Sequence, residues 1–150
     1  QAAPGAFRFH LTGKKFPKKY EHLLADDVKV AGFVPDLDVF LETMDIAVCP
    51  WITGYGMQQK VFEPLCRSLP LITNKVAGFD FTHDKEVLLA QIPQEYVAHL
   101  LMLRDPAQRQ RLSDAAYAKS KQLFSKEAVE AIAREAIQWV LEKGKTASAR

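Results

Sequence analysis

Lys60 and Glu63 are the two side chains in this chain whose types and spacing best suit chemistry. They close the stretch Pro50-Trp-Ile-Thr-Gly-Tyr-Gly-Met-Gln-Gln-Lys-Val-Phe-Glu63. Three residues apart, they share one face if the segment is helical. Upstream, Gly54 and Gly56 let a loop adopt positive φ and bring backbone N–H groups close to a ligand. A helix start adds unpaired N–H groups and the positive end of a dipole, which together favour an anion. A cation and a carboxylate at the mouth of such a loop fit a nucleoside diphosphate. Lysine would take the phosphates, and glutamate a pair of ribose hydroxyls. The same two residues would equally make an exposed intrahelical ion pair, worth about 0.2–0.5 kcal/mol. Trp51 and Tyr55 would stack on a base or sugar, or serve as packing.

Other chemistries find less support. A P-loop needs its lysine directly after glycine and before Ser or Thr, whereas Gln59 precedes Lys60 and Val61 follows it. The dinucleotide fingerprint needs glycine where Gln59 stands, which argues against a nicotinamide-dependent oxidoreductase. His10, His22, His83 and His99 have no partner at metal spacing, so no metal site is expected. His83, next to Asp84 and after Gly78, is the histidine best placed for a binding rim. Cys49 and Cys66 sit in apolar contexts and read as small buried hydrophobes in a reducing compartment.

Elements must position the loop. Ile46-Ala-Val-Cys49 reads as a buried strand and Val61 to Cys66 as a helix body, giving the order strand, loop, helix. Pro64 inside that helix removes an N–H and calls for a kink. Further strands are expected at Phe7–Thr12, Val28–Ala31, Leu69–Thr73 and Glu86–Ala90. Helices are expected at Tyr20–Ala25, at Leu37–Met44 capped by Asp36, and at Gln94–Leu103 with Val97, Leu100 and Leu101 together. Another begins at Asp105-Pro106, with Gln108 reaching back, and the last is capped by Ser125. In that last helix Phe124 and Val129 are spaced as a hydrophobic staple. Val129, Ile132, Ala133, Ala136, Ile137 and Val140 form a stripe that reads as packing. Alternating strands and helices give an α/β, doubly wound parallel sheet with a helical C-terminal segment. Ligands bind such sheets beyond the carboxyl ends of the strands, so the loops after Thr12, Ala31 and Cys49 should meet at one rim.

At 150 residues the chain is one domain's length, with 48% hydrophobic and 25% charged residues and no tract biased toward disorder. A net charge of +2 gives no argument for nucleic acid. Residues 1–142 form the expected domain and 143–150 a frayed polar tail. The start at Gln1-Ala-Ala-Pro reads as that of a fragment.

Taken in order, these signals resemble the C-terminal donor-binding domain of GT-B glycosyltransferases, most of all family 4. The residues that carry the resemblance are a strand ending at Gly13, Val28-Lys-Val-Ala-Gly-Phe-Val34, Asp45-Ile-Ala-Val-Cys-Pro50, Gly54-Tyr-Gly-Met-Gln-Gln-Lys60-Val-Phe-Glu63 and Leu69-Pro-Leu-Ile-Thr73. Leu103-Arg-Asp-Pro106 and Leu123-Phe-Ser125 follow, so that about residues 7 to 140 are covered. The resemblance implies that Lys60, with Gly56 and Met57, contacts the donor diphosphate. It implies Glu63 on the ribose, Gly54 and Tyr55 near the sugar, and Phe33 and Val34 against the base. It further implies a UDP- or GDP-linked donor, transfer of a hexose to a hydroxyl with retention, and no cofactor or bound metal. No catalytic residue is assigned.

Two departures accompany the resemblance. Many members carry a glutamate for the transferred sugar eight residues before the one matching Glu63, where this chain has Tyr55. The family's domain also begins with a further strand and helix, joined by a loop that carries an Arg/Lys pair. That unit, and the N-terminal acceptor domain, would come from the rest of the protein or from a second chain completing the sheet. The piece alone should have little activity. The resemblance places the protein in the cytoplasm, and Lys14-Lys-Phe-Pro-Lys-Lys19 would suit peripheral contact with the inner membrane face. The alternative reading is a non-catalytic binding or regulatory domain of the same fold, with Tyr55 as its main support.

Overall fold

A computed structural model of the chain describes residues 5–13, 16–50, 59–78 and 80–147. They fall into two compact units, the first ending at Met44 and the second starting at Asp45. In the first unit, β1 (Phe9–Thr12) and β2 (Val28–Gly32) pair in parallel, with Phe9 opposite Val28. The register slips between Leu11 and Thr12, so that Thr12 faces Gly32. A 3-10 helix, Lys18–Leu23, connects the strands where Tyr20–Ala25 was expected. Helix α1 (Leu37–Glu42) starts at Asp36, whose carboxylate accepts the Val39 N–H at 3.0 Å. It stops two residues before the expected Met44. The Thr43 hydroxyl and N–H both go to the Phe40 carbonyl, and the Met44 N–H goes to Leu41, which tightens the last turn to i→i+3 bonding.

The second unit holds β3 (Ala47–Cys49), α2 (Gln59–Cys66), β4 (Leu71–Thr73), β5 (Leu88–Leu89), α3 (Pro93–Met102), α4 (Pro106–Phe124) and α5 (Lys126–Ala147). Its strands lie in the order β3-β4-β5 and are all parallel. Pro70 has no N–H for the ladder, so β4 begins at Leu71 rather than Leu69, while the Pro70 carbonyl accepts from Ala47 N–H at 2.9 Å. β5 is shorter than the expected Glu86–Ala90. The Glu86 N–H is taken by Thr82, and the Glu86 carboxylate accepts the Thr82 N–H at 2.7 Å. Ala90 N–H still reaches the Thr73 carbonyl at 2.8 Å.

Successive strand residues face opposite sides, and β4 is covered on both, whereas β3, expected to be buried, leaves Val48 38% exposed. Leu71 joins Cys49, Val61, Leu65, Phe81, Val87 and Ala116 on one side. Ile72 joins Leu88, Ala90, Leu103 and Leu112 on the other. This is the doubly wound α/β arrangement, with a core on each face.

The late helices start as expected: Asp105 accepts the Ala107 N–H at 2.9 Å, and the Ser125 hydroxyl accepts that of Ala128 at 3.2 Å. Gln108 does not reach back; its side-chain oxygen accepts from Arg111. In α3 the inward face is Tyr96 and Leu100, whereas Val97 and Leu101 are more than a third exposed. The α5 stripe also departs from expectation. Val129, Ile132, Ile137 and Val140 are 53–63% exposed, so it is not core, and Val129 completes no buried staple. The Lys126–Glu130–Arg134 ion pairs run along the same helix, which continues through Ala147.

Candidate binding rim

Because β3, β4 and β5 are parallel, Cys49, Thr73 and Leu89 all end strands at one edge of their sheet. Two residues bind the first two ends together. The buried Thr73 hydroxyl donates to the Cys49 carbonyl at 2.9 Å. Asn74 then turns the chain, its side-chain oxygen accepting from Ala77 N–H at 3.0 Å. At Gly78 the backbone comes close to the strand ends: an added Cβ would lie 2.9 Å from Leu89 Cδ2 and 3.0 Å from Thr73 Cγ2.

Helix α2 stands over the end of β3. Val61, Pro64 and Leu65 are its buried residues. That leaves Lys60, in the first turn, exposed, and Glu63 half-buried. The Lys60 charge is felt at Cys49. Burial pushes the Cys49 thiol up, and the Lys60 ammonium and the Thr73 hydroxyl oppose that shift. The thiol is therefore neutral, and beside it the rim carries a lysine charge at a helix start, where an anion would be doubly favoured. Glu63 is steadied from behind. Its carbonyl accepts from the Arg67 guanidinium at 2.9 Å, because the Arg67 N–H is used by Pro64.

The end of β5 is clasped by histidines. His83 Nδ1 accepts the Leu89 N–H at 2.9 Å, and His99 Nε2 lies 3.1 Å from the Leu89 carbonyl, with the two rings 5.5 Å apart. Glu95 accepts the Gln91 and Ile92 N–H groups, and these bonds hold its carboxyl below the ordinary range. Only half of a capping box is present, since Ile92 has no side-chain acceptor to return the bond. His83 therefore lies at the rim, in a structural role, while Asp84 is held by Arg111 at 2.8 Å.

The expected residues sort unevenly. Lys60 and Glu63 fall together on α2 at the end of β3. Phe33 and Val34 follow β2 in the first unit, Phe33 being 68% exposed directly after Gly32, whose φ is +68°. In that unit the loops after Thr12 and Gly32 are joined by the Gly13 N–H, which donates to the Gly32 carbonyl at 2.9 Å. Gly54, Tyr55, Gly56 and Met57 lie outside the described residues, as do Trp51 and Lys14-Lys15. Sequence reasoning passed over Thr73, Asn74 and Gly78. The available signal was a hydroxyl on the last residue of a strand, followed by Asn and, four residues later, Gly. No group of three or more His, Cys, Asp or Glu side chains suited to a metal occurs among the described residues. Among them too, no helix is long and apolar enough to cross a membrane.

Comparison with known proteins bears on this geometry. The family model described as glycosyl transferases group 1 matches residues 1–105. The fold is similar to the crystal structure of the C-terminal domain of a glycosyl transferase group 1 family protein (LpcC) from Francisella tularensis. The TM-score is 0.58 at 20% identity, over 69% of this chain and 57% of that one. The chain thus spans little more than half the length of that relative. No curated protein matches it.

Proposed function

This chain belongs to the glycosyl transferases group 1 family, and we propose that it is the part of such an enzyme that binds the nucleotide-sugar donor. The observation that carries the proposal is the placement of Lys60 and Glu63 on consecutive turns of α2, at the carboxyl end of β3. In this reading Lys60 neutralises the donor diphosphate, helped by backbone N–H groups of Gly56 and Met57. Glu63 accepts from the two ribose hydroxyls. Gly54 and Tyr55 border the sugar, and Phe33 with Val34 covers the base. As the sugar leaves for a hydroxyl acceptor, charge grows on the diphosphate, and a lysine with a helix start stabilises it without a metal. The donor is a UDP- or GDP-linked hexose, transferred with retention.

The acceptor half, and a further strand and helix, come from the remainder of the protein or from a partner chain. The exposed lysines at 18 and 19 then suit peripheral contact with an anionic, cytoplasmic membrane face. The test is calorimetry on the full-length protein with UDP and GDP. Binding of one of them, weakened about tenfold or more in Glu63→Ala through loss of charged hydrogen bonds, is the expected result. Absence of binding to either would remove the reading.

A second reading is favoured by one residue. Tyr55 stands where a sugar-binding carboxylate is common in the family, which suits a domain that binds a nucleotide or a partner without transferring sugar. Nucleotide binding with no turnover in the full-length protein, and turnover after Tyr55→Glu, would select it.

A further inference from the structure

Helix α5 has an apolar face that no described residue covers. From Val129 to Lys143 every side chain is exposed, and among the described side chains of this helix Ala128 alone is partly buried. Helices in proteins draw most of their stability from packing an apolar face, so a 22-residue helix with that face bare calls for an occupant. Val129, Ile132, Trp139 and Val140 are each 53–63% exposed.

The order of residues along this face says what would fit it. Val129, Ile132, Ala136, Trp139 and Lys143 recur in alternating steps of three and four, the a and d positions of a heptad, with Ala133 and Val140 beside them. Glu130 and Arg134, which pair along the helix, lie off this seam, as do Ile137 and Leu141. The seam is its own complement when two copies run antiparallel about a two-fold axis at Ala136. Trp139, the largest residue, then meets the partner's Ala133, and Ile132 meets the partner's Val140. The Ala136 methyls meet on the axis, where their small size lets the two backbones approach. At each end the stem of Lys143, whose ammonium sits 5.8 Å from the Trp139 ring centre, lies over the partner's Val129. A parallel pair would instead set Trp139 on Trp139 and Lys143 on Lys143, with the two helix dipoles aligned.

We propose that α5 pairs with the α5 of a second copy of this chain, as an antiparallel two-helix seam centred on Ala136. The two-fold fit of large residues onto small ones selects a second copy over an unrelated surface, which would not need the face to complement itself. Covering the seam removes roughly 600 Å² per copy, about 1,200 Å² in all, the lower end of a standard interface. The dimer is accordingly reversible, with a Kd of about 1–100 µM. It uses no residue of the candidate rim and does not depend on the nucleotide reading.

Sedimentation equilibrium of the full chain across its concentration range is the test, with a shift from monomer to dimer expected in the micromolar range. Ala136 is exposed and glutamate is a good helix former, so Ala136→Glu should keep the parent's circular dichroism. It sets two like charges against each other on the axis and should weaken the dimer about a hundredfold or more. Ile137→Gln, one residue on and off the seam, should leave the Kd within about twofold of the parent's, as expected for an exposed site. Disulfide trapping reads the orientation, with the exposed thiol Cys66 first replaced by Ser. Ala136→Cys should cross-link to its own copy under mild oxidation. Val129→Cys should not, because antiparallel pairing puts the two copies of residue 129 about 21 Å apart along the seam. Three results would overturn the proposal: a monomer at every concentration, which would leave the face to the remainder of the protein; a dimer undiminished in folded Ala136→Glu; or Val129→Cys cross-linking as readily as Ala136→Cys.

Discussion

Gly78→Ala sets two opposed effects against each other at the binding rim. Alanine restricts the unfolded chain, which by itself stabilises by about 0.4–1 kcal/mol. Against this, the new methyl would sit 2.9 Å from Leu89 Cδ2, 3.0 Å from Thr73 Cγ2 and 3.3 Å from the Asn74 carbonyl oxygen. Leu89 is only half-buried, and its terminal methyl can swing aside at little expense. Thr73 cannot. It is fully buried, and rotating its methyl away would also turn the hydroxyl off the Cys49 carbonyl, which it meets at 2.9 Å. Overpacking against a fixed neighbour costs about 1–3 kcal/mol, so the net expectation is a loss of about 1–2 kcal/mol. For a chain of this size that lowers Tm by roughly 2–8 °C. Thermal and urea unfolding of the variant measure it, and the background decides its cause. Thr73→Ser keeps the hydroxyl and deletes the methyl. In that background Gly78→Ala should be neutral or slightly stabilising. A Gly78→Ala variant as stable as the parent, or a loss undiminished in the Thr73→Ser background, would refute the reasoning.

Glu95 has its carboxyl held down first by the Gln91 N–H and then by the Ile92 N–H. A depressed carboxyl contributes stability above its unfolded value of 4.5 and loses it as pH falls through the lower folded value, so the Gln91 amide shift should titrate below pH 4.5 and stay flat in Glu95→Gln. Asp105→Ala removes the cap on Ala107 N–H and should destabilise by about 1 kcal/mol in urea unfolding, while Asp105→Asn recovers most of it. Ile137→Gln on the exposed face of α5 should change the unfolding free energy measured in urea by no more than about 0.5 kcal/mol, since that side chain is 61% exposed.

Much of the second unit was legible because its signals are local. The apolar runs Ala47–Cys49 and Leu71-Ile72 mark strands, although only β4 is buried throughout and Val48 of β3 is 38% exposed, and Asp105-Pro106 marks a helix start through its own chemistry. What failed depended on where side chains turned. Glu86 looked like the first residue of a strand, but its carboxylate and N–H both serve Thr82, and the ladder shrinks to Leu88 and Leu89. The α5 stripe has the spacing of a core face, yet spacing states only that residues share a side, not that anything covers it. At the rim, the placement of Lys60 and Glu63 on one helix was readable from the sequence. Thr73 and Gly78 were not, because their roles come from the approach of β4 and β5, distant in sequence.

Helix α2 explains why Pro64 is tolerated inside so short an element. A proline at the sixth of eight helical positions supplies no N–H to the turn before it. The residues after it adjust together. The N–H groups of Arg67 and Leu69 both turn to the Pro64 carbonyl, and Ser68 takes the left-handed conformation at φ +57°. The Glu63 carbonyl, passed over by the Arg67 N–H, is met instead by the guanidinium of the same residue. This is a C-terminal cap in which a charged side chain replaces a backbone donor, at the end of the helix where a cation is favoured by the dipole. Pro64 and Leu65 meanwhile stay buried against the sheet, so the element is held by its apolar face rather than by a full set of helical bonds. Its first two turns present Lys60 and Glu63 beyond β3. A longer helix would still have end carbonyls to cap, and it would carry the chain past the point where β4 must begin at Leu71 to pair with Ala47.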